Sequence, residues 1–213
     1  MKPTLRPSVS LVLKRTADVM APHFSLVFLR LVRLGIFPLC WRQSTITPIP
    51  KGPPSSSVAN YRQISITSVL SQVFERLVFV RLGRLMERNG VLPNTKFAYR
   101  KGLGTCDALL CVCHTLRIVL ESGQEARIMQ IDFSAALDRV NHQGILYRLC
   151  SGGVGGSVLS ILTQFLSNRS QHVMVDGCRS NLVDVSGVPQ GSILGPLLFL
   201  QYTSELFSIL ENS

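Results

Sequence analysis

The twenty residues VLSQVFERLVFVRLGRLMER, positions 69–88, constrain the fold more than any other stretch of this chain. Apolar side chains recur there at Val69, Val73, Leu77, Val80 and Leu85, with Arg76, Arg84 and Arg88 towards the other face. Spacings of three and four predict an amphipathic helix. A helix apolar along one side needs a second layer to cover it. With 213 residues, 46% of them hydrophobic and 16% charged, the chain has the material for one full core and does not read as disordered.

The other elements follow from period and punctuation. Helices are expected over 22–37, 105–121, 141–150, 156–168 and 196–211. Thr105 is expected to cap the second of these and Pro196 to sit in the first turn of the last. Residues 44–49 alternate as a short strand, and Pro-Lys-Gly-Pro-Pro-Ser-Ser-Ser (50–57) follows as a flexible loop. ARIMQIDF (126–133) reads as a buried strand ending in an acid, and 170–176 pairs with 181–188 around Asp176-Gly177. Helices interleaved with strands, the helices packed on a short antiparallel sheet, define an α+β fold.

Charge is unevenly spread. Residues 1–101 hold sixteen Lys or Arg against three acids, and residues 102–213 hold six against nine. A basic front and an acidic back suit a protein that grips a polyanion with one part and does chemistry with another. Seventeen of the 22 basic residues are Arg, whose planar fork matches phosphate. Two greasy stretches are interrupted by Arg30 and Arg33, and by Gln201 and Glu205, so both read as core helices and no membrane span is expected. The first 20 residues carry no signal-peptide pattern. The six cysteines include no CxxC pair and read as buried thiols rather than metal ligands. Together these features imply an intracellular chain that is not secreted, with nuclear or cytoplasmic residence open.

Three segments carry candidate chemistry. Asp132, at the end of an apolar strand, is placed either to hold Mg²⁺ or to cap the helix that follows. The Gly/Pro-punctuated turn Gly187 to Pro196 lets backbone approach a ligand closely. Lys51 and Arg62 flank a loop in the basic half and could clamp a triphosphate.

The order of six blocks is more specific than any one of them. WRQSTITPIPKG, NYRQISITSVLSQVFERL, FAYRKGLGTCDALL, QIDFSAALDRVNH, FLSNRSQHVMVDG and GVPQGSILGPLLFLQYTSEL resemble, in sequence order, those of LINE-type (non-LTR) retrotransposon reverse transcriptases. Group II intron maturases share the polymerase core, but the block wording is nearer the LINE group. The resemblance implies the fingers and partial palm of a right-hand polymerase over 25–213, after an N-terminal extension over 1–24. It implies an RNA template, a DNA primer and dNTPs as partners, and template-directed nucleotidyl transfer with two Mg²⁺ ions. Nuclear rather than cytoplasmic residence rests on this resemblance alone. Carried over by position, Asp132 and the Phe133 carbonyl match metal ligands, and Lys51 and Arg62 match triphosphate contacts. Gln190 matches a glutamine beside the nucleotide sugar, Gly191 a glycine passing close to the template-base pair, and Leu137 an aromatic gate that excludes ribose.

Three departures bear on activity. The aspartate pair of the family's YxDD hairpin is expected about 15 residues beyond Tyr202-Thr203-Ser204-Glu205-Leu206, and no Asp-Asp pair occurs in the sequence. Leu137 replaces Phe or Tyr, and Gln63 replaces the usual Pro. The chain alone is therefore expected to be inactive in synthesis, with Asp138 and Glu205 the first substitutes for the missing acids. Uncovered apolar faces and a propensity to aggregate are expected too. The competing reading is a non-catalytic RNA- or DNA-binding module. A dehalogenase-like phosphatase built on Asp132 is excluded, because Ser134 stands where a second acid is required.

Overall fold

The computed structural model describes residues 7–53, 56–92, 95–100 and 102–204. Helices α1 (Pro7–Arg15) and α2 (Ala17–Leu34) lead into strand β1 (Gln43–Pro50), which turns back as β2 (Tyr61–Ile66). Helices α3 (Val69–Arg88), α4 (Thr105–Glu121), α5 (His142–Ser151) and α6 (Gly156–Leu166) follow. Strands β3 (Ser170–Val175), β4 (Cys178–Arg179) and β5 (Val183–Asp184) and helix α7 (Gly195–Tyr202) complete the order. The expected continuation of α7 over 205–211 lies outside the described residues.

The architecture is α+β, but the sheet is mixed rather than antiparallel. β1 pairs antiparallel with β2, from Thr45 opposite Ile66 to Pro50 opposite Tyr61. It pairs parallel with β3, from Gln43 opposite Ser170 to Ile46 opposite Val173. A parallel pair needs a long crossover, and here helices α3 to α6 supply it. The expected hairpin forms at Asp176-Gly177, both at positive φ (48° and 81°), as a two-residue primed turn requires. Its return strand is broken in two: β4 pairs with the end of β3 and β5 with its start.

Helix α2 ends at Gly35, whose φ of 66° permits a Schellman closure: Gly35 N–H donates to Val32 O and Ile36 N–H to Leu31 O. The freed Gly35 carbonyl accepts from Ser160 Oγ (2.8 Å) and Gln164 Nε2 (2.7 Å), which docks α2 onto α6. Around this seam the rings of Phe28, Phe37, Trp41, Phe74 and Phe165 pack at centroid distances of 5.3 to 6.3 Å.

Helix α3 runs over the expected residues, but the buried face is another one. Ser71, Phe74, Glu75, Val78, Leu82 and Met86 are buried, while Val73, Leu77 and Val80 are 45%, 51% and 42% exposed. Apolar residues occur on nearly every side of this helix, so periodicity offers two competing stripes. The aromatic cluster selects the stripe that contains Phe74.

Other expectations are corrected by lack of cover. Residues 124–133 form no strand, and Ile128, Met129, Ile131 and Phe133 are exposed. No residue of α4 is buried. All six cysteines are exposed, because three lie on α4 and the rest on outer surfaces. A strand needs a neighbour to satisfy its backbone groups, and among the described residues none reaches 126–133. The N-cap of α4 is Gly104, not Thr105; Asp107 accepts from the Gly104 N–H at 2.7 Å. No helix among the described residues is long and apolar enough to cross a membrane.

The two stripes of α3 are separable by experiment. Phe74→Ala is expected to cost about 3–5 kcal/mol, and Leu77→Ala less than about 1 kcal/mol, in urea unfolding followed by circular dichroism. Comparable losses at the two positions would place the core on the wrong face.

Candidate functional site

The turn from Gly187 to Gly195 is clamped between two other segments. On one side Gly187 has a φ of 76°, and a Cβ there would fall 2.5 Å from Asp138 O and closer still to Leu137 O. Val188 N–H donates to Leu137 O (2.8 Å), and His142 Nε2 lies 2.6 Å from Gly187 O. On the other side Ser65 N–H donates to Gln190 O (2.8 Å). Gly191, at φ 106°, would carry a Cβ only 3.0 Å from Ser65 O. Both glycines meet positive φ and a backbone neighbour at once, two conditions a side chain cannot satisfy together.

The far end of the turn is held by a buried acid. Glu75, on α3 and fully buried, accepts at Oε2 from the N–H groups of Ile193 (2.9 Å) and Leu194 (3.4 Å), just before α7. Ser71 Oγ donates to Oε1 (2.9 Å). Burial pushes the Glu75 carboxyl up from its ordinary value, and these hydrogen bonds and Arg169 oppose the shift. Arg169, buried at the start of β3, donates from Nη1 to Phe165 O (2.9 Å) and lies 5.0 Å over the Phe165 ring. Burial pushes its guanidinium down to about 10. It remains a cation at neutral pH.

Between the turn, β2 and β3 opens a cleft of 140 Å³, lined by Gln63, Ser65, Asp138, Gln171, Asp184 and Gln190 among others. Its wall is polar and acidic. Partial burial there raises the Asp138 carboxyl above the usual carboxylate range.

The structure brings together part of the expected set. Gln190 lines the cleft and Gly191 lies beside it, next to Ser65 of β2. Arg62 faces away, since strand neighbours alternate and Gln63 takes the cleft side. Lys51 sits one residue beyond β1, its Nζ donating to Ala59 O (2.9 Å) and its N–H to Asn60 O (2.8 Å), so it folds back on its own loop. Leu137 packs against the core and meets the turn through its carbonyl. Asp132 and Phe133 are exposed and are not in the cleft wall. Among the described residues no group of three His, Cys, Asp or Glu gathers to hold a metal ion.

Sequence reasoning missed Glu75, Arg169 and His142, whereas Gly187 was picked out as the start of the punctuated turn. An acid inside an apolar helix was the visible signal for Glu75. Nothing local marks Arg169.

The family model for reverse transcriptase (RNA-dependent DNA polymerase) matches residues 49–213. The chain belongs to the reverse transcriptase family. It is 34% identical over 186 residues to the probable RNA-directed DNA polymerase from transposon X-element of Drosophila melanogaster, an alignment covering 86% of this chain and 20% of that protein. It is 32% identical over 191 residues to the RNA-directed DNA polymerase from mobile element jockey of the same organism, covering 89% and 21%. It is 27% identical over 218 residues to the retrovirus-related Pol polyprotein from type-1 retrotransposable element R2 of Popillia japonica, covering 100% and 29%. This reverse transcriptase domain thus spans less than a third of the length of these non-LTR relatives.

The clamp has a direct test. Gly187→Ala must relieve both a positive φ and a backbone collision, and is expected to cost more than about 3 kcal/mol in chemical denaturation. Gly90→Ala shares the positive φ (62°) but meets open space, and is expected to cost about 1 kcal/mol. Equal costs would contradict the clamp.

Proposed function

We propose that this chain forms the fingers and part of the palm of an RNA-directed DNA polymerase, and that the cleft beside Gln190 receives the incoming deoxynucleotide. The observation that carries the reading is the clamped turn: Gln190 and Gly191 are set against β2 by backbone hydrogen bonding, where the family resemblance calls for a nucleotide-facing glutamine. Gln63, in place of the usual proline, adds a polar group to the same wall. Arg62 and Lys51, at one end of the β1–β2 hairpin, are the phosphate contacts that the family resemblance calls for; both would have to turn towards the cleft to reach a triphosphate there. In this reading residues 25–213 carry the polymerase region, and residues 1–24 an extension continuous with it through α2. The template is RNA, the primer DNA, and the site of action nuclear or cytoplasmic.

The divalent ion of this reading is Mg²⁺, with Asp132 and the Phe133 carbonyl as the ligands offered. In this reading the chain's own contribution is binding and orientation, since its sequence holds no Asp-Asp pair for the second half of the ion site. Leu137, lacking an aromatic ring, leaves discrimination against ribonucleotides weak.

A second reading, a non-catalytic RNA- or DNA-binding module, draws on the sixteen basic residues among the first 101 and on the exposed position of Asp132. Filter binding of an RNA-template–DNA-primer duplex, with and without Mg²⁺ and the matching dNTP, separates the two. Both readings expect log affinity for the duplex to fall linearly with log salt. The polymerase reading adds nucleotide binding, weakened about tenfold by Gln190→Ala, a loss of about 1.4 kcal/mol. Duplex binding with no nucleotide affinity would leave the module reading alone. Primer extension beside Asp132→Ala completes the test: no product is expected, and product abolished by the substitution would show that other carboxylates complete the site.

A further inference from the structure

Glu75 is fully buried and ionisable, whereas Asp132 and Arg62 are exposed, and nothing in nucleotidyl transfer calls on it. A carboxylate at that depth is costly unless its lone pairs are engaged and its charge is balanced. Three donors engage it: Ser71 Oγ from its own helix, and the N–H groups of Ile193 and Leu194 from the other end of the sequence. Burial raises the carboxyl, and Arg169, also buried, opposes that shift together with the hydrogen bonds. Two of the Arg169 nitrogens, Nε and Nη2, meet no protein acceptor, so its influence on Glu75 is electrostatic rather than a formed ion pair.

Two of these donors lie three and four residues beyond Gln190. Between them Ser192 Oγ donates to Pro189 O (2.8 Å) and accepts from Gly195 N–H (3.1 Å), which makes the turn a rigid unit. Its near end is fixed by Leu137 and Ser65, and its far end by Glu75. Releasing the far end frees the segment that presents Gln190 to the cleft.

We propose that Glu75, held by Ser71 and engaged by the Ile193 and Leu194 N–H groups, is a positioning residue that sets the Gly187–Gly195 turn and thereby tunes nucleotide affinity at a cleft it does not touch. This inference rests on the nucleotide reading of the cleft.

The test uses the full chain with an RNA-template–DNA-primer duplex, Mg²⁺ and the templated dNTP as probe. It compares the wild type, Ser71→Ala, and the double variant Glu75→Leu with Arg169→Met, leucine lacking the acceptor oxygen that glutamine would keep. The double variant removes both buried charges together, so no unpaired charge is left to unfold the core. Ser71→Ala is a mild change that removes one hydrogen bond from the carboxylate. Without ligand, amide hydrogen exchange at Ile193 and Leu194 is expected to quicken at least tenfold in the double variant, while β1 and β2 amides keep their protection. The nucleotide Kd is expected to rise about tenfold in the double variant and two- to threefold in Ser71→Ala, with Tm within a few degrees of wild type. Unchanged exchange at Ile193 and Leu194, or faster exchange with an unchanged nucleotide Kd, overturns the inference and leaves the cleft reading standing. A wild-type chain that binds no nucleotide overturns the cleft reading and this inference together.

Discussion

The carboxylate of Glu75 ties together parts of the chain that share no strand pairing. It sits on α3, between the aromatic cluster and the turn that precedes α7, and gathers two backbone N–H groups more than a hundred residues away. Those donors belong to the end of a turn whose other residues reach β2 through Ser65 and the 134–139 bend through Leu137. One buried acceptor thus links a helix, a sheet edge and a loop. Removing such an acceptor leaves two N–H groups and a guanidinium without compensation, which is why buried polar groups of this kind fix a single arrangement rather than add general stability.

The mixed sheet follows from the same economy of contacts. β1 lies between β2, its hairpin partner, and β3, which arrives after a crossover of four helices. Three of those helices are well used: α3 carries Phe74 and Glu75 into the core, α6 seats the end of α2, and α5 packs against α7. α4 is not, since no residue of it is buried and Leu109, Leu110, Ile118 and Leu120 are all more than half exposed. The apolar stretch 126–133 shares that condition. Helix and strand candidates next to one another in sequence are uncovered together, as expected of one layer without its facing layer.

Membership of the reverse transcriptase family gives these features a setting. The Gly187–Gly195 turn and β2 are tied together by backbone hydrogen bonding, with Gly187 and Gly191 at positive φ close to neighbouring backbone. The metal-ligand candidates Asp132 and Phe133 lie in the uncovered layer. The nucleotide-facing half of the proposed site is therefore built from segments that cover each other, and the metal-facing half from a segment that nothing covers.

Much of this was legible in the residues themselves. Helix α3 runs over the anticipated span, the primed turn stands at Asp176-Gly177, and Pro196 lies in the first turn of α7. The order of six blocks identified the family, because block order survives divergence that erases any one motif. These features depend on neighbours within a few residues, or on linear order alone. The structure decided the rest: which stripe of α3 faces inward, that β3 joins β1 in parallel, that Gln63 rather than Arg62 takes the cleft side, and that 126–133 stays without a partner. It also paired Glu75 with Ile193 and set Arg169 within reach of its charge. Each of those outcomes joins residues far apart in the chain. Local periodicity carries no information about which distant surface wins, and only the packing of the whole core makes that choice.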